Sequence, residues 1–186
     1  MRIIAGSAGS VPIRVPPSLA RPTTDRVRES LFAALGDLVA DARVLDLFAG
    51  SGSLGLEALS RGAASADFVE SHGPACETIE RNLQKTRLAG GRVHRREALA
   101  FLATVPATRY DLAFADPPYA REEKDRELLA ALLNAPAFPA ALAPGGLLVL
   151  ESLASAPLPE TPLWSVRDER TYGTTRVSFL SPKSEV

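Results

Sequence analysis

The sequence predicts an α/β fold, a mostly parallel sheet covered by helices on both faces. Three observations carry that expectation. Short apolar runs alternate with helix-like segments along the chain, the order that winds a parallel sheet. A glycine-rich turn, Ala49-Gly50-Ser51-Gly52-Ser53-Leu54-Gly55, stands between one such run and a helical stretch. With 186 residues, 46% hydrophobic and 23% charged, the chain suits one domain with a good-sized core.

The elements follow in order. Five prolines and glycines between Gly6 and Pro17 make the first twenty residues read as a small hairpin or extended arm. Residues 25–39 read as a helix with Val27, Leu31, Ala34, Leu35 and Leu38 in one apolar stripe. Arg43 to Phe48 is a strand, and Leu56 to Arg61 is a helix that Gly62 suits as a cap. Ala66 to Glu70 is the second strand. The next helix starts near Pro74, a favoured first-turn residue, with Ile79 and Leu83 on one face. Strand 92–95 precedes helix 97–104, and strand 110–115 precedes Asp116-Pro117-Pro118-Tyr119. Glu122 to Asn134 is a helix, Gly146 to Glu151 the fifth strand and 157–162 a loop. Residues 163–169 and 174–180 form a closing antiparallel pair turned at Tyr172-Gly173. Trp164 and Cys76 are expected in packing. His72 and His94, lacking partners at metal or triad spacing, are expected at the surface, and no metal is required.

Composition narrows the classes. One cysteine, Cys76, excludes an internal disulfide and a cysteine cluster for zinc. Without a secretory signal or an apolar run of membrane-spanning length, a cytoplasmic protein is expected. The net charge of −1 is unevenly spread. Residues 1–30 hold Arg2, Arg14, Arg21, Arg26 and Arg28 against Asp25 and Glu29, and residues 81–96 hold six cations and no acid. Phosphate binding follows local rather than total charge, so both stretches are RNA candidates; a solvated face is the alternative.

Two motifs carry chemistry. Gly50, Gly52 and Gly55 satisfy G-x-G-x-x-G between a strand and a helix, and Glu70 ends the next strand about twenty residues on, where a carboxylate accepts ribose hydroxyls. That pair binds an adenosine moiety. Asp46, at the end of the first strand, would repel a dinucleotide's pyrophosphate but attract the ammonium and sulfonium of S-adenosylmethionine. Phe48, Ala49, Ser51 and Leu54 complete the wall of that site, and Ser71 is a candidate for the adenine edge. The second motif is Asp116-Pro117-Pro118-Tyr119. Its prolines bring no N–H and have fixed φ, so the corner presents the Asp116 carboxylate and main-chain carbonyls as acceptors. The exocyclic amine of a nucleobase has two N–H donors to match, and Tyr119 supplies a face on which the base stacks.

Together the Asp46–Gly52 segment, Glu70 and the Asp-Pro-Pro-Tyr corner resemble class I methyltransferases that modify amino groups of nucleobases. Arg2-Ile3-Ile4-Ala5-Gly6, Arg21-Pro22-Thr23-Thr24-Asp25-Arg26-Val27-Arg28-Glu29-Ser30-Leu31-Phe32 and Leu54 to Ala63 narrow the likeness to the RsmD family. The resemblance implies a single Rossmann-like methyltransferase domain over residues 25–182, preceded by an RNA-binding extension at 1–24 and followed by a tail at 183–186. It implies a seven-stranded, mostly parallel sheet whose last strand is antiparallel. By the same resemblance the activity is methyl transfer to N2 of a guanine in small-subunit (16S) ribosomal RNA, guanine 966. The cofactor is S-adenosylmethionine, and the partner is ribosomal RNA or an assembling small subunit. The chain is expected to be a monomer. Arg21, Thr23, Arg26 and Arg28 would line the RNA entrance, with Arg14 compensating for a 7–11 loop without basic residues. Glu97-Ala98 stands where the family has an Asp-Ala contact to adenine, and Glu97 reads equally as a helix-starting acid.

Three readings compete at this point. One is the guanine-N2 methyltransferase. Another keeps the chemistry but targets adenine N6 or another amine in DNA or a different RNA. The third is an NAD-type oxidoreductase or a non-catalytic RNA-binding module.

Overall fold

The structure is a computed structural model that describes residues 1–16, 24–118 and 122–183. Arg21, Thr23 and Tyr119, expected at functional positions, lie outside the described residues. Seven strands belong to one sheet in the order β3-β2-β1-β4-β5-β7-β6: β1 Arg43–Leu47, β2 Ser65–Glu70, β3 Gly91–Arg95, β4 Tyr110–Ala115, β5 Leu142–Leu153, β6 Trp164–Tyr172 and β7 Thr175–Pro182. The expected sheet is present, with β7 antiparallel to both β5 and β6. The chain divides into two compact units, Met1–Ala98 and Leu99–Val186.

In the first unit β1, β2 and β3 pair in parallel, Leu45 opposite Asp67 and Phe68 opposite Val93. Helices α1 (Asp25–Leu35), α2 (Ser53–Ser60) and α3 (Gly73–Thr86) accompany them. α1 is shorter than the pattern predicts. Gly36 takes φ +50° and stops it, and a 3-10 turn covers Gly36–Val39. Leu38, beyond that stop, is exposed, as is Ala34 within α1, and the buried stripe is Val27, Arg28, Leu31, Phe32 and Leu35. α2 starts three residues earlier than expected and is buried on every side, including Glu57 and Ser60.

A carboxylate at 0% exposure costs several kcal/mol unless hydrogen bonds repay its hydration. Glu57 receives three: Ile4 N at 2.7 Å, Ala5 N at 3.1 Å and Arg61 Nε at 2.7 Å. Ser60 Oγ accepts from Ala8 N at 2.9 Å and donates to Ala5 O at 2.6 Å. The first thirteen residues thus form the expected hairpin, with Ile3 N on Val11 O and Ile13 N on Met1 O, clamped onto α2. Gly6 makes the clamp possible: it sits at φ +83°, and a Cβ there would lie 1.8 Å from Ser60 O.

In the second unit β4 pairs in parallel with β5, with a register irregularity between Tyr110 and Leu112. β5 is twice its expected length and begins at Leu142. Helices α5 (Glu123–Leu133) and α6 (Ala137–Ala141) lie beyond β4, and α4 (Ala98–Leu102) crosses the boundary between the units. Trp164 fills the expected packing role. It is buried, meets Phe138 edge-on with centroids 5.2 Å apart, and donates Nε1 to Leu133 O at 2.9 Å. No helix among the described residues is long and apolar enough to cross a membrane.

Candidate active site

β1 delivers the chain into a turn where Phe48, Gly50 and Gly52 all have positive φ, at 57°, 55° and 76°. Phe48 is the costly member. A bulky side chain in the left-handed region is strained by roughly 1–3 kcal/mol and persists only where its surroundings impose it. Those surroundings are hydrogen bonds from three other elements. Ala49 N donates to Val69 O of β2 at 3.2 Å, and Gly50 N to Glu70 Oε2 at 2.9 Å. Asn82 of α3 donates Nδ2 to Ser51 O at 3.0 Å, and Gly55 N donates to Asp46 Oδ2 of β1 at 2.9 Å. The third glycine serves packing: a Cβ on Gly55 would lie 2.3 Å from Phe68 Cε1.

Asp46 has a role the sequence did not suggest. Its side chain is turned inward at 2% exposure, and it satisfies an otherwise orphaned amide in the first turn of α2. The sequence places this carboxylate opposite the positive charge of a bound donor; its observed hydrogen bond shapes the loop from behind. Glu70 is better oriented for a ligand. It stands half-buried at the carboxyl end of β2, Oε1 accepting from His72 N at 2.8 Å and Oε2 from Gly50 N. A carboxylate has about four lone-pair directions, so two remain for a vicinal diol. The residues present therefore fit an adenosine-bearing donor such as S-adenosylmethionine. Phe48 is half-buried, and Ala49, Ser51, Leu54 and Ala98 are buried. Ser71 and Glu97 are exposed, Glu97 directly ahead of α4. Cys76 lies under this corner, its thiol donating to Glu70 O at 3.2 Å. Burial, then the Glu70 charge, push that thiol above its ordinary 9.0.

The second chemical motif follows β4. Leu112, Ala113, Phe114 and Ala115 are all 1% exposed or less; then Asp116 is half-buried, Pro117 buried and Pro118 exposed. The chain thus emerges from the sheet through residues that supply carbonyls and a carboxylate but, at 117 and 118, no N–H.

Of the arginines expected to meet RNA, Arg14 and Arg26 are exposed. Arg28 is corrected: its side chain is wholly buried, Nη2 donating to Arg2 O at 2.7 Å and to Asp25 Oδ1 at 2.8 Å, which takes it off the surface where phosphates are met. His94 is also more than a surface residue, with Nε2 2.8 Å from Asp67 Oδ1, whereas His72 is exposed as expected. The residue the sequence reading missed is Asn82. Fully buried on α3, it donates Nδ2 to both Arg14 O and Ser51 O and accepts from Arg14 N at 2.8 Å. One amide on the Ile79–Leu83 apolar face was its only signal.

The family model described as Conserved hypothetical protein 95 matches residues 1–181. Ribosomal RNA small subunit methyltransferase D of Escherichia coli K12 is 39% identical over 93% of this chain and 85% of its own. The chain belongs to the RsmD family. Solved structures agree. Escherichia coli yhhF superposes with a TM-score of 0.79 at 35% identity, covering 100% of this chain and 99% of its own. A hypothetical protein of Thermus thermophilus gives 0.77 at 35% identity, covering 97% and 99%. RsmD membership ties together motifs that sequence spacing alone left separate: the hairpin, the glycine turn and the Asp-Pro-Pro corner all fall inside the matched residues.

Proposed function

We propose that this chain transfers a methyl group from S-adenosylmethionine to the exocyclic N2 of a guanine in small-subunit (16S) ribosomal RNA, guanine 966 by family resemblance. The observation that carries the reading is the end of β4, where Asp116 and Pro117 leave a buried strand as a corner of acceptors. RsmD membership supports ribosomal RNA as the substrate.

When bound, S-adenosylmethionine supplies a methyl group on a positively charged sulfur. The chain's residues do the remaining work. Glu70 accepts the ribose hydroxyls, and the Gly50–Gly52 backbone, walled by Phe48, Ala49, Ser51 and Leu54, receives the methionine moiety. Asp46 holds that turn and adds a negative charge behind it. Ser71, Glu97 and Ala98 border the adenine.

On the substrate side, the Asp116 carboxylate and the Pro117 carbonyl accept the two N–H groups of guanine N2 and aim its nitrogen. The lone pair of that amine is delocalised into the ring, so it is a weak nucleophile, and orientation of this kind can lower the barrier by ~7–11 kcal/mol. Asp116 need not be a strong base, because the nitrogen becomes acidic once it carries the methyl and releases its proton to the carboxylate. Pro118 stiffens the corner and Tyr119 stacks on the base. Arg14, Arg21, Thr23 and Arg26 meet the RNA backbone, while the buried Arg28 braces the start of α1 against the hairpin. The enzyme acts as a cytoplasmic monomer, on free RNA or an assembling subunit.

Nucleotide-resolved mass spectrometry of ribosomal RNA from cells with and without the gene tests the reading. Loss of one N2-methylguanine from the small-subunit RNA is the expected result. No missing modification in ribosomal RNA would overturn it.

A further inference from the structure

A groove of about 390 Å³ runs along the first unit between the hairpin's outgoing strand and α3, lined by Arg14, Arg81, Asn82, Gln84 and Lys85. We infer that this groove seats the sugar-phosphate backbone of the substrate RNA, an inference that rests on the ribosomal-RNA reading above.

Two features of the groove point to that occupant. Its rim is cationic: Arg14, Arg81 and Lys85 are exposed, and Gln84 between them is a neutral hydrogen-bonding side chain. Two exposed acids stand on the same helix: Glu80, next to Arg81 in sequence, and Glu77, which lies 3.2 Å from Arg81 in an exposed i,i+4 pair. Such pairs are weak, so a phosphate can take Arg81 over at little cost.

The floor of the groove is pre-organised. Asn82 grips the Arg14 backbone with two hydrogen bonds, at 2.8 and 2.9 Å. Arg14 therefore projects from a fixed stem, and fewer degrees of freedom are lost when its guanidinium meets an anion. The same Asn82 amide holds Ser51 O of the glycine turn at 3.0 Å. A backbone seated on this rim would thus lie above the buried side chain that also shapes the donor loop. A solvated helix face would account for exposed cations on α3, but not for an arm whose main chain is locked to present a further one.

The test is the double variant R81A/K85A, at two exposed helix positions where alanine is well tolerated. Binding to a fluorescein-labelled 16S ribosomal RNA transcript is followed by anisotropy across a salt series, with S-adenosylhomocysteine binding by calorimetry as the fold control. The variant should bind the transcript roughly tenfold more weakly near 100 mM salt and lose ~1–2 units from the slope of log K against log salt, while S-adenosylhomocysteine binding is unchanged. E77Q, which removes the acid paired with Arg81, should bind the transcript about two- to fivefold more tightly. Unchanged affinity and slope in R81A/K85A, or no gain in E77Q, would overturn the groove assignment while leaving the methyltransferase reading intact. Failure of the parent chain itself to bind or methylate the transcript would remove both.

Discussion

The glycine turn and the Asp-Pro-Pro corner, the two loops to which the proposed function assigns the chemistry, are shaped by different means. The glycine turn after β1 takes its form from side chains elsewhere: Asp46, Glu70 and Asn82 each hold one of its backbone groups, and between them they keep Phe48 in a strained conformation. The corner after β4 is shaped by its own covalent structure, through two proline rings with fixed φ. The difference teaches where each loop is vulnerable. Remote substitutions should disorder the glycine turn, whereas the proline corner should yield most to changes within its own residues.

The largest expected effect lies in the corner. Asp116→Ala should lower methyl incorporation into RNA by about 10²–10³-fold, the usual cost of removing one aimed polar group from a reacting centre, while calorimetric binding of S-adenosylhomocysteine stays as in the parent. Intact incorporation would show that the corner is not the reacting site. In the turn, Glu70→Gln preserves size but sets an amide NH2 against either Gly50 N or His72 N, both donors. S-adenosylhomocysteine affinity should fall about 10- to 100-fold, in keeping with ~1.5–3 kcal/mol for a hydrogen bond to a charged group. An unchanged dissociation constant would remove Glu70 from the donor site.

The contrast is sharpest at Asn82. Asn82→Ala leaves the amide of Arg14 and the carbonyls of Arg14 and Ser51 without their partner, so urea denaturation should report a loss of roughly 1–3 kcal/mol, and donor affinity should fall with it although residue 82 is buried behind the turn. A stability loss without an affinity loss would show that the turn keeps its shape unaided. The smallest effect should come from Pro118→Ala at the exposed end of the corner. It changes mainly the entropy of the unfolded chain, so the expected cost is about 0.4–1 kcal/mol in the same assay.

How much of this could be read in advance depended on the range of the interaction. β4 was legible to the residue because a mostly apolar run, broken only by Asp111, ends at Asp116-Pro117, and the Asp-Pro-Pro chemistry is written in adjacent residues. α1 was overrun because an apolar stripe at helical spacing continues through Leu38, while its true stop is the positive φ of Gly36. Arg28 was misread because arginine is nearly always exposed; only the fold shows the Arg2 carbonyl and Asp25 carboxylate that accept from it.

By itself the sequence determined the alternation of strands and helices, the glycine turn, the acceptor corner and the family, since each rests on residue types at short, fixed spacings. Tertiary structure alone decided which polar groups are buried and what they hold. Glu57 and Ser60 clamp a hairpin more than fifty residues away, Asn82 reaches back to Arg14 and Ser51, and Asp46 faces the helix before any ligand. The physical reason is that burying a polar side chain is tolerable only when its partner arrives from elsewhere in the chain, and no local pattern encodes where that partner lies.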